Sequence, residues 1–224
     1  MGKTPESGEE VIRAYRKRAR CYDLNVRLFD LFSVFGFNIE AWRSEAIRAL
    51  QLQRGDTVVD IGCGTGLNFL LLQEIIGAEG RIIAVDLSDA MLAQARWRVA
   101  EYGWTNIELV QGDAAQFQFP ANVGGIVSTL ALTLVPECGH VIDNACVALA
   151  PGRRLVILDM AWPTWMPDWF RHVLFFLRPY GVTGEVIKRR PWEIVYQAME
   201  QQLVDVTRKE FWMGFFYLAI GIRG

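Results

Sequence analysis

The stretch Val58-Val59-Asp60-Ile61-Gly62-Cys63-Gly64-Thr65-Gly66 decides the fold. An apolar run ends in an acid and is followed at once by three glycines on alternate positions, and then by the apolar helical pattern of residues 68–76. A strand that turns directly into a helix while its backbone approaches a ligand needs residues without Cβ atoms at the crowded positions. The N–H groups of the helix's first turn are then left for polar ligand atoms. The spacing separates this loop from two other nucleotide-binding loops. Counted from Gly62, the dinucleotide fingerprint places its third glycine where this chain has Leu67, and Gly66 comes one residue early. No Gly-Lys-Ser or Gly-Lys-Thr follows, which excludes a Walker phosphate loop.

Outward from this loop, short apolar runs alternate with helical periodicity. Strands are expected over residues 57–61, 81–85, 106–110, 123–128 and 153–158, with helices over 68–76, 90–102 and 140–149. Gly77, Gly80 and Gly103 punctuate them where helices must end. Repeated strand–helix alternation specifies a parallel, doubly wound sheet covered on both faces. Beyond Asp159 the composition shifts to Trp162, Trp165, Trp169, Phe170, Phe175, Phe176 and Tyr180, interrupted by Pro163, Pro167 and Pro179. This reads as an aromatic cap. A helix over 192–202 and strands over 204–210 and 215–220, turning near Met213-Gly214, form a terminal antiparallel hairpin. The expected fold is α/β: a Rossmann-like, doubly wound, mostly parallel seven-stranded sheet with that hairpin, an N-terminal helical lid and the cap after the fifth strand. It makes one domain over 1–224, divided into a helical segment (10–50), a ligand-binding core (55–160), the cap (160–202) and the hairpin (203–224).

Within the helical segment, Val11, Ile12, Tyr15, Ala19, Tyr22 and Val26 form one stripe, and Arg13, Arg16, Lys17, Arg20 and Arg27 lie on the opposing arc. Two readings stand: a helix packed on the domain with solvated arginines, or an interfacial lid that joins apolar burial to local basic attraction. The 23 Lys and Arg against 25 Asp and Glu leave a net charge of -2, which gives no global reason to bind a polyanion. Cys21, Cys63, Cys138 and Cys146 contain no CxxC pair and no adjacent ligand set, so no metal is expected and a reducing, cytoplasmic setting fits. Peripheral contact with the inner face of a membrane stays open; the apolar runs are shorter than the roughly 20 residues of a spanning helix.

The ligand side follows from chemistry. Asp86, at the end of the second strand, is placed to accept hydrogen bonds from two ribose hydroxyls, although a helix cap would also explain it. In Gly112-Asp113-Ala114, Asp113 suits an adenine amino group, with Leu87 and Ala114 flanking the ring; an ordinary loop carboxylate is the alternative.

These features occur together with Ala150-Pro151-Gly152 before the fifth strand, and the block from residue 57 to 159 resembles the class I S-adenosylmethionine-dependent methyltransferases. Arg153 stands where that family commonly has a second glycine. The resemblance implies S-adenosyl-L-methionine as cofactor. Asp60 would organise its methionine end, Gly62, Cys63, Gly64 and Gly66 would lie along it, and Ser128 would sit near the methyl donor. An N-terminal tyrosine closes the pocket in many relatives, which makes Tyr15 and Tyr22 candidates; packing as amphipathic aromatics is the competing reading.

Methyl transfer from a sulfonium asks mainly for alignment and water exclusion, so the lack of a nucleophilic triad excludes nothing. Ser128, Asp159 and Tyr22 are the candidate catalytic residues, Asp159 by its place at the end of the fifth strand. His140, Trp162, Trp165 and His172 are candidates for substrate contact; packing is the alternative for each. The pattern Tyr15-x6-Tyr22-Asp23, with Phe211-Trp212-x-Gly214-Phe215-Phe216-Tyr217, is similar to bacterial phospholipid and betaine-lipid N-methyltransferases, and the tyrosine segment also resembles quinone-ring C-methyltransferases. The leading expectation is N-methylation of an ethanolamine-type headgroup on an amino lipid, or of a small apolar amine, at an anionic membrane surface. Small-molecule or quinone-ring methylation, and a noncatalytic cofactor-binding regulator, are the alternatives. Nucleic acid is disfavoured by the acidic balance.

Overall fold

The computed structural model describes residues 37–167 and 184–224. The alternation along β1 (Thr57–Ile61) organises them. Val58 packs in one apolar cluster, and Val59 and Ile61 pack in another on the opposite face of the sheet. The first cluster is covered by α1 (Ile39–Ala49), α2 (Phe69–Ile76) and α3 (Asp89–Tyr102). The second is covered by α4 (Cys138–Ala148), α5 (Gly184–Arg189) and α6 (Pro191–Gln202). β2 (Arg81–Asp86), β3 (Ile107–Gln111), β4 (Val123–Thr129), β5 (Leu149–Met160), β6 (Val204–Phe211) and β7 (Phe216–Ile222) complete the sheet.

Its order is β3-β2-β1-β4-β5-β7-β6, with β7 antiparallel to both neighbours and the other adjacent pairs parallel. The winding reverses between β1 and β4, so their carboxyl ends flank a crevice in which a ligand fits. The expected α/β class, sheet and hairpin are all present. The bounds differ where a local signal was misread. β2 and β4 each run one residue further, to Asp86 and Thr129, and α4 starts two residues earlier, at Cys138. β5 starts at Leu149, with residues 150–153 bulged out of its ladder with β4.

That bulge places Arg153 for a structural task. Its guanidinium donates two 2.9 Å hydrogen bonds to the Asp56 carboxylate, tying the start of β5 to the loop before β1. The departure from the family's glycine thus has a partner in Asp56. At the N-terminal side, Asn38 caps α1 by accepting from the Ala41 N–H at 2.9 Å. Phe37 and Trp42 then pack on Phe216, and Trp42 stacks on Phe211 at 5.0 Å. Tyr15, Tyr22, His172 and the basic arc from Arg13 to Arg27 lie outside the described residues. Among the described residues, no helix is long and apolar enough to cross a membrane.

Both members of the Arg153–Asp56 pair are largely buried, so Arg153→Ala is expected to lower the unfolding free energy by about 1–3 kcal/mol. Asp56→Ala should cost a similar amount, and the double variant clearly less than the sum of the two. Urea unfolding of the four proteins checks this; strictly additive losses would dissolve the pairing.

Candidate functional site

The crevice between β1 and β4 is a cleft lined by Arg43, residues 61–65, Leu67, Val85, Asp86, Leu87, Ser88, Met91, Gly112, Asp113, Ala114, residues 129–131 and residues 134–136. The glycine loop forms its floor. Gly62 and Cys63 donate their N–H groups to the Val85 carbonyl at 2.8 and 3.1 Å, and the Gly64 N–H meets Asp86 Oδ2 at 2.8 Å. Gly62 has φ +65°, and a Cβ there would sit 2.2 Å from the Ala131 Cβ, so the loop passes beneath the opposite wall only as glycine. Gly64, at φ +56°, has open space where its Cβ would be.

Asp86 carries two roles at once. Oδ2 holds the loop through Gly64, and Oδ1 accepts from the Ser88 N–H at 2.8 Å, just before α3. Each oxygen keeps a second lone pair, and the residue lines the cleft. Burial raises the Asp86 carboxyl above its ordinary range, opposed by these two backbone donors. Asp113 closes the far end, with Oδ1 accepting from the Ala115 N–H at 2.9 Å, and Leu87, Met91 and Ala114 supply apolar surface beside it. Cys63 also lines the cleft; burial pushes its thiol well above the usual range, which leaves it inert.

Behind the loop lies a buried polar network. Asp60 shares the sheet face of Val58, beneath α1 and α2, and is fully buried. Asn68, at the start of α2, donates from Nδ2 to Asp60 Oδ1 at 2.9 Å, while its Oδ1 accepts from Arg43 Nη1 at 2.8 Å. Arg43 Nη1 also reaches Thr129 Oγ1 at 2.8 Å. Asp60 Oδ2 is buried with no hydrogen-bond partner. Burial therefore dominates and raises the Asp60 carboxyl to about 7, against the lowering effects of Asn68 and Arg43. A buried cation and a half-satisfied buried acid at one end, and two acids beside apolar shelves at the other, fit a ligand with an amino-acid end and an adenosine end.

Gly62, Cys63, Gly64, Asp86, Leu87, Asp113 and Ala114 are thus brought together around one cleft. Gly66 sits behind it at φ +80°, packed against Phe69, and Asp60 stands one layer below. Ser128 does not reach the cleft. It points to the sheet face opposite Thr129, and its fully buried hydroxyl donates to the Ile61 carbonyl at 2.9 Å. Thr129, the next residue, lines the cleft instead. Asp159 is also separated from the cleft, its carboxylate covered by the turn at Leu132–Leu134. His140 is exposed on α4, within 3.1 Å of Asn144 Nδ2, outside the cleft lining. Trp162 and Trp165 lie outside it too, each in edge-on contact with Phe215; their indole N–H groups go to the Met166 and Met213 carbonyls at 3.1 and 2.9 Å.

Among the site residues that escaped the motif reading are the polar Arg43, Asn68 and Thr129, beside the apolar Met91 and residues 130–131 and 134–136. Arg43 had a legible signal, since it interrupts the buried stripe Ile39, Trp42, Ala46, Ile47 of an amphipathic helix, where a charge is rarely placed without a partner. Asn68 and Thr129 had none, because their roles depend on which strand and helix ends converge. Among the described residues, no group of three or more His, Cys, Asp or Glu side chains is disposed to hold a metal ion.

Comparison with known proteins agrees with this geometry. Residues 58–152 match a family described as a methyltransferase domain. Demethylmenaquinone methyltransferase of Listeria monocytogenes is 30% identical over 191 residues, covering 79% of this chain and 78% of that protein. The Shouchella clausii protein of the same name is 27% identical, over 94% of this chain and 99% of its own. Among solved structures, a SAM-dependent methyltransferase from Aquifex aeolicus superposes with a TM-score of 0.62 at 19% identity, covering 93% of this chain and 98% of its own. Geranyl diphosphate C-methyltransferase from Streptomyces coelicolor, solved with S-adenosyl-L-homocysteine, gives 0.68 at 15% identity, over 82% and 80%. At these identities the structural likenesses speak to the fold.

The position of Asp60 has a measurable consequence in the ligand-free chain. Below about pH 4 the carboxyl is protonated whether the chain is folded or not. As pH rises, the unfolded chain releases this proton while the folded chain keeps it up to about pH 7, so the group's contribution to stability falls across that window. Asp60→Asn removes the titration. The stability of the variant relative to wild type is expected to grow by on the order of 4 kcal/mol between about pH 4 and pH 7, then level off. Urea unfolding across that range tests this, and a pH-independent difference would refute it.

Proposed function

We propose, for a chain that belongs to the class I S-adenosylmethionine-dependent methyltransferases, that the methyl acceptor is a ring carbon of a reduced quinone bearing an apolar side chain. The observation that carries this reading is the cleft wall of Leu130, Ala131, Leu134, Val135 and Pro136, which is apolar throughout. Relatives named for demethylmenaquinone methylation support it over most of the chain.

The residues divide the cofactor between them. Asp86 would take the ribose diol and Asp113 the adenine amino group, with Leu87, Met91 and Ala114 against the ring faces. Arg43 would meet the amino-acid carboxylate, and the unsatisfied Asp60 would favour the ammonium beside it. When bound, S-adenosylmethionine supplies an electrophilic methyl group: a carbon–carbon bond forms to the electron-rich ring as the carbon–sulfur bond breaks, sulfur keeps the bonding pair, and the ring carbon releases a proton. The wall at residues 130–136 contributes placement of a flat ring and exclusion of water.

The headgroup N-methylation expected from short tyrosine and aromatic motifs gives way to this alternative. A phosphate-bearing headgroup would call for cations on the acceptor side, and among the described residues the wall at 130–136 offers none. Delivery from a lipid surface stays part of the proposal, because an acceptor with a long apolar chain partitions into bilayers.

Two measurements test the reading. Asp86→Ala is expected to weaken S-adenosylmethionine binding by about 10- to 100-fold in calorimetry, the loss of charge-assisted bonds to the ribose. Methyl-labelled cofactor should transfer its label to a prenylated naphthoquinol kept reduced in detergent and leave phosphatidylethanolamine unlabelled. Label appearing only in the phospholipid would overturn the acceptor assignment, and unaltered binding by the variant would remove Asp86 from the ribose.

A further inference from the structure

The buried acid at the end of β5 is the strongest feature that the cofactor site leaves unused. Asp159 is 1% exposed, and Thr133, in the turn that covers it, is 5% exposed. All three polar groups of Thr133 are engaged. Its backbone N–H donates to Asp159 Oδ2 at 2.9 Å, its hydroxyl to Asp159 Oδ1 at 2.8 Å, and its carbonyl accepts from Arg189 Nη2 at 2.7 Å. The Met160 N–H adds a third donor to the same carboxylate at 2.7 Å. Thr133 is the centre of the turn Leu132–Leu134, and the residues on both sides of it, Leu130 and Ala131 before and Leu134 to Pro136 after, form the apolar cleft wall. Leu130 has φ +58°, a conformation an unsupported leucine seldom keeps, and its N–H is fixed to the Leu158 carbonyl at 2.8 Å.

We infer that Asp159 is a positioning residue: together with Thr133 it clamps the Leu132–Leu134 turn, and the clamp sets the shape of the wall against which the methyl acceptor lies. The role rests on the proposed function, which assigns that wall to the acceptor. An apolar residue at 159 would avoid the cost of burying a carboxylate but would leave the Thr133 N–H unsatisfied in the interior and its hydroxyl with only the 3.3 Å contact to the Met160 carbonyl, freeing the turn. Arg189 extends the clamp to α5, so the segment after residue 183 and the cleft wall share one anchor. A displacement of the wall by about 1 Å is enough to cost on the order of 100-fold in a reaction governed by alignment.

The clamp works with an ionised carboxylate, which accepts at both oxygens. Burial raises the Asp159 carboxyl to about 6, against the lowering effect of its donors. The groups facing it are Cys138 on α4 and Tyr217 on β7, with Arg189 acting on Cys138 and Arg208 on β6 acting on Tyr217. Burial pushes the thiol and the phenol upward, so both are neutral where Asp159 titrates. Below about pH 6 a protonated oxygen would oppose the Thr133 donors and release the turn.

The test compares wild type with Asp159→Asn, Thr133→Val and Thr133→Ser in the full chain. In the ligand-free proteins, amide exchange at residues 132–135 is expected to accelerate by about tenfold or more in the first two variants, with β1 and β4 still protected, and to stay as wild type in Thr133→Ser. S-adenosyl-L-homocysteine affinity should be unchanged in all four. With a prenylated naphthoquinol and labelled cofactor, kcat should fall by about 10- to 100-fold in Asp159→Asn and Thr133→Val and be retained by Thr133→Ser. The wild-type rate should decline below about pH 6, and Asp159→Asn should lack that limb. Unaltered exchange at the turn in both Asp159→Asn and Thr133→Val overturns the clamp. So does loss of protection across the whole sheet in both, or a loosened turn with full kcat. If the wild type methylates no quinol, the acceptor reading fails by itself, and faster exchange confined to the turn with retained S-adenosyl-L-homocysteine binding still supports the clamp.

Discussion

A carboxylate at the end of a central strand, buried on all sides and bonded at only one oxygen, is costly to keep, and the architecture around it is arranged to tolerate Asp60. Its face of the sheet is set by the two-residue period of β1, which sends it under α1 and α2 with Val58. Asn68 then has to stand at the start of α2, where its amide nitrogen donates to Asp60 and its amide oxygen accepts a hydrogen bond from Arg43. Arg43 in turn needs α1 docked against the sheet, and the aromatic contacts of Trp42 with Phe211 and Phe216 hold it there. The helix preceding the sheet, the first crossover helix and the terminal hairpin are therefore bound to one acid. A ligand that brings a positive charge to that end relieves the burden which the ligand-free chain carries.

The same alternation explains why two acids with similar sequence settings do different things. Asp60 and Asp159 each end an apolar parallel strand, but Asp60 falls on the face covered by α1 and α2, next to the cleft's polar end, and Asp159 follows Ile157 onto the face covered by α4 and α6. The first meets an amide and a guanidinium from helices. The second meets the backbone of a turn that has already crossed the strand ends. Strand register, fixed by the apolar pattern, thus decides whether a carboxylate lies at the polar end of the cleft or behind its apolar wall.

This also marks how far the chain was legible. Elements with their own local signal could be read: strand–glycine–helix at residues 58–66, the alternation through residue 158, and acids at strand ends whose partners are neighbouring backbone, as with Asp86 and Ser88. The cleft residues Gly62, Gly64, Asp86 and Asp113 belong to this class because each stands in a short motif at a strand end, even though the bonds from Gly62 to Val85 and from Gly64 to Asp86 join neighbouring strands. Arg43, Thr129 and the Thr133 clamp depend on pairings between residues far apart in the chain, such as the bond from Arg43 to Thr129, and no local periodicity carries that information. Ser128 illustrates the failure most sharply. The motif identified the correct strand end and missed by one residue, and in a strand one residue is the difference between the cleft and a bond to the Ile61 carbonyl.

The apolar wall of the cleft follows a related logic. His140, Trp162 and Trp165 attracted attention because polar-aromatic side chains can recognise ligands, yet each satisfies its nitrogen locally, with Asn144, Met166 and Met213. The wall that does line the cleft consists of leucine, alanine, valine and proline, side chains with no directional chemistry. Such a surface selects by shape and by exclusion of water, so its precision must come from the backbone that carries it. Here that backbone includes a leucine at positive φ, and a turn whose central threonine has no polar group left for solvent. An apolar cleft wall and a heavily hydrogen-bonded layer behind it are two parts of one requirement: the fewer directional contacts a surface offers, the more rigidly it has to be held to shape what lies against it.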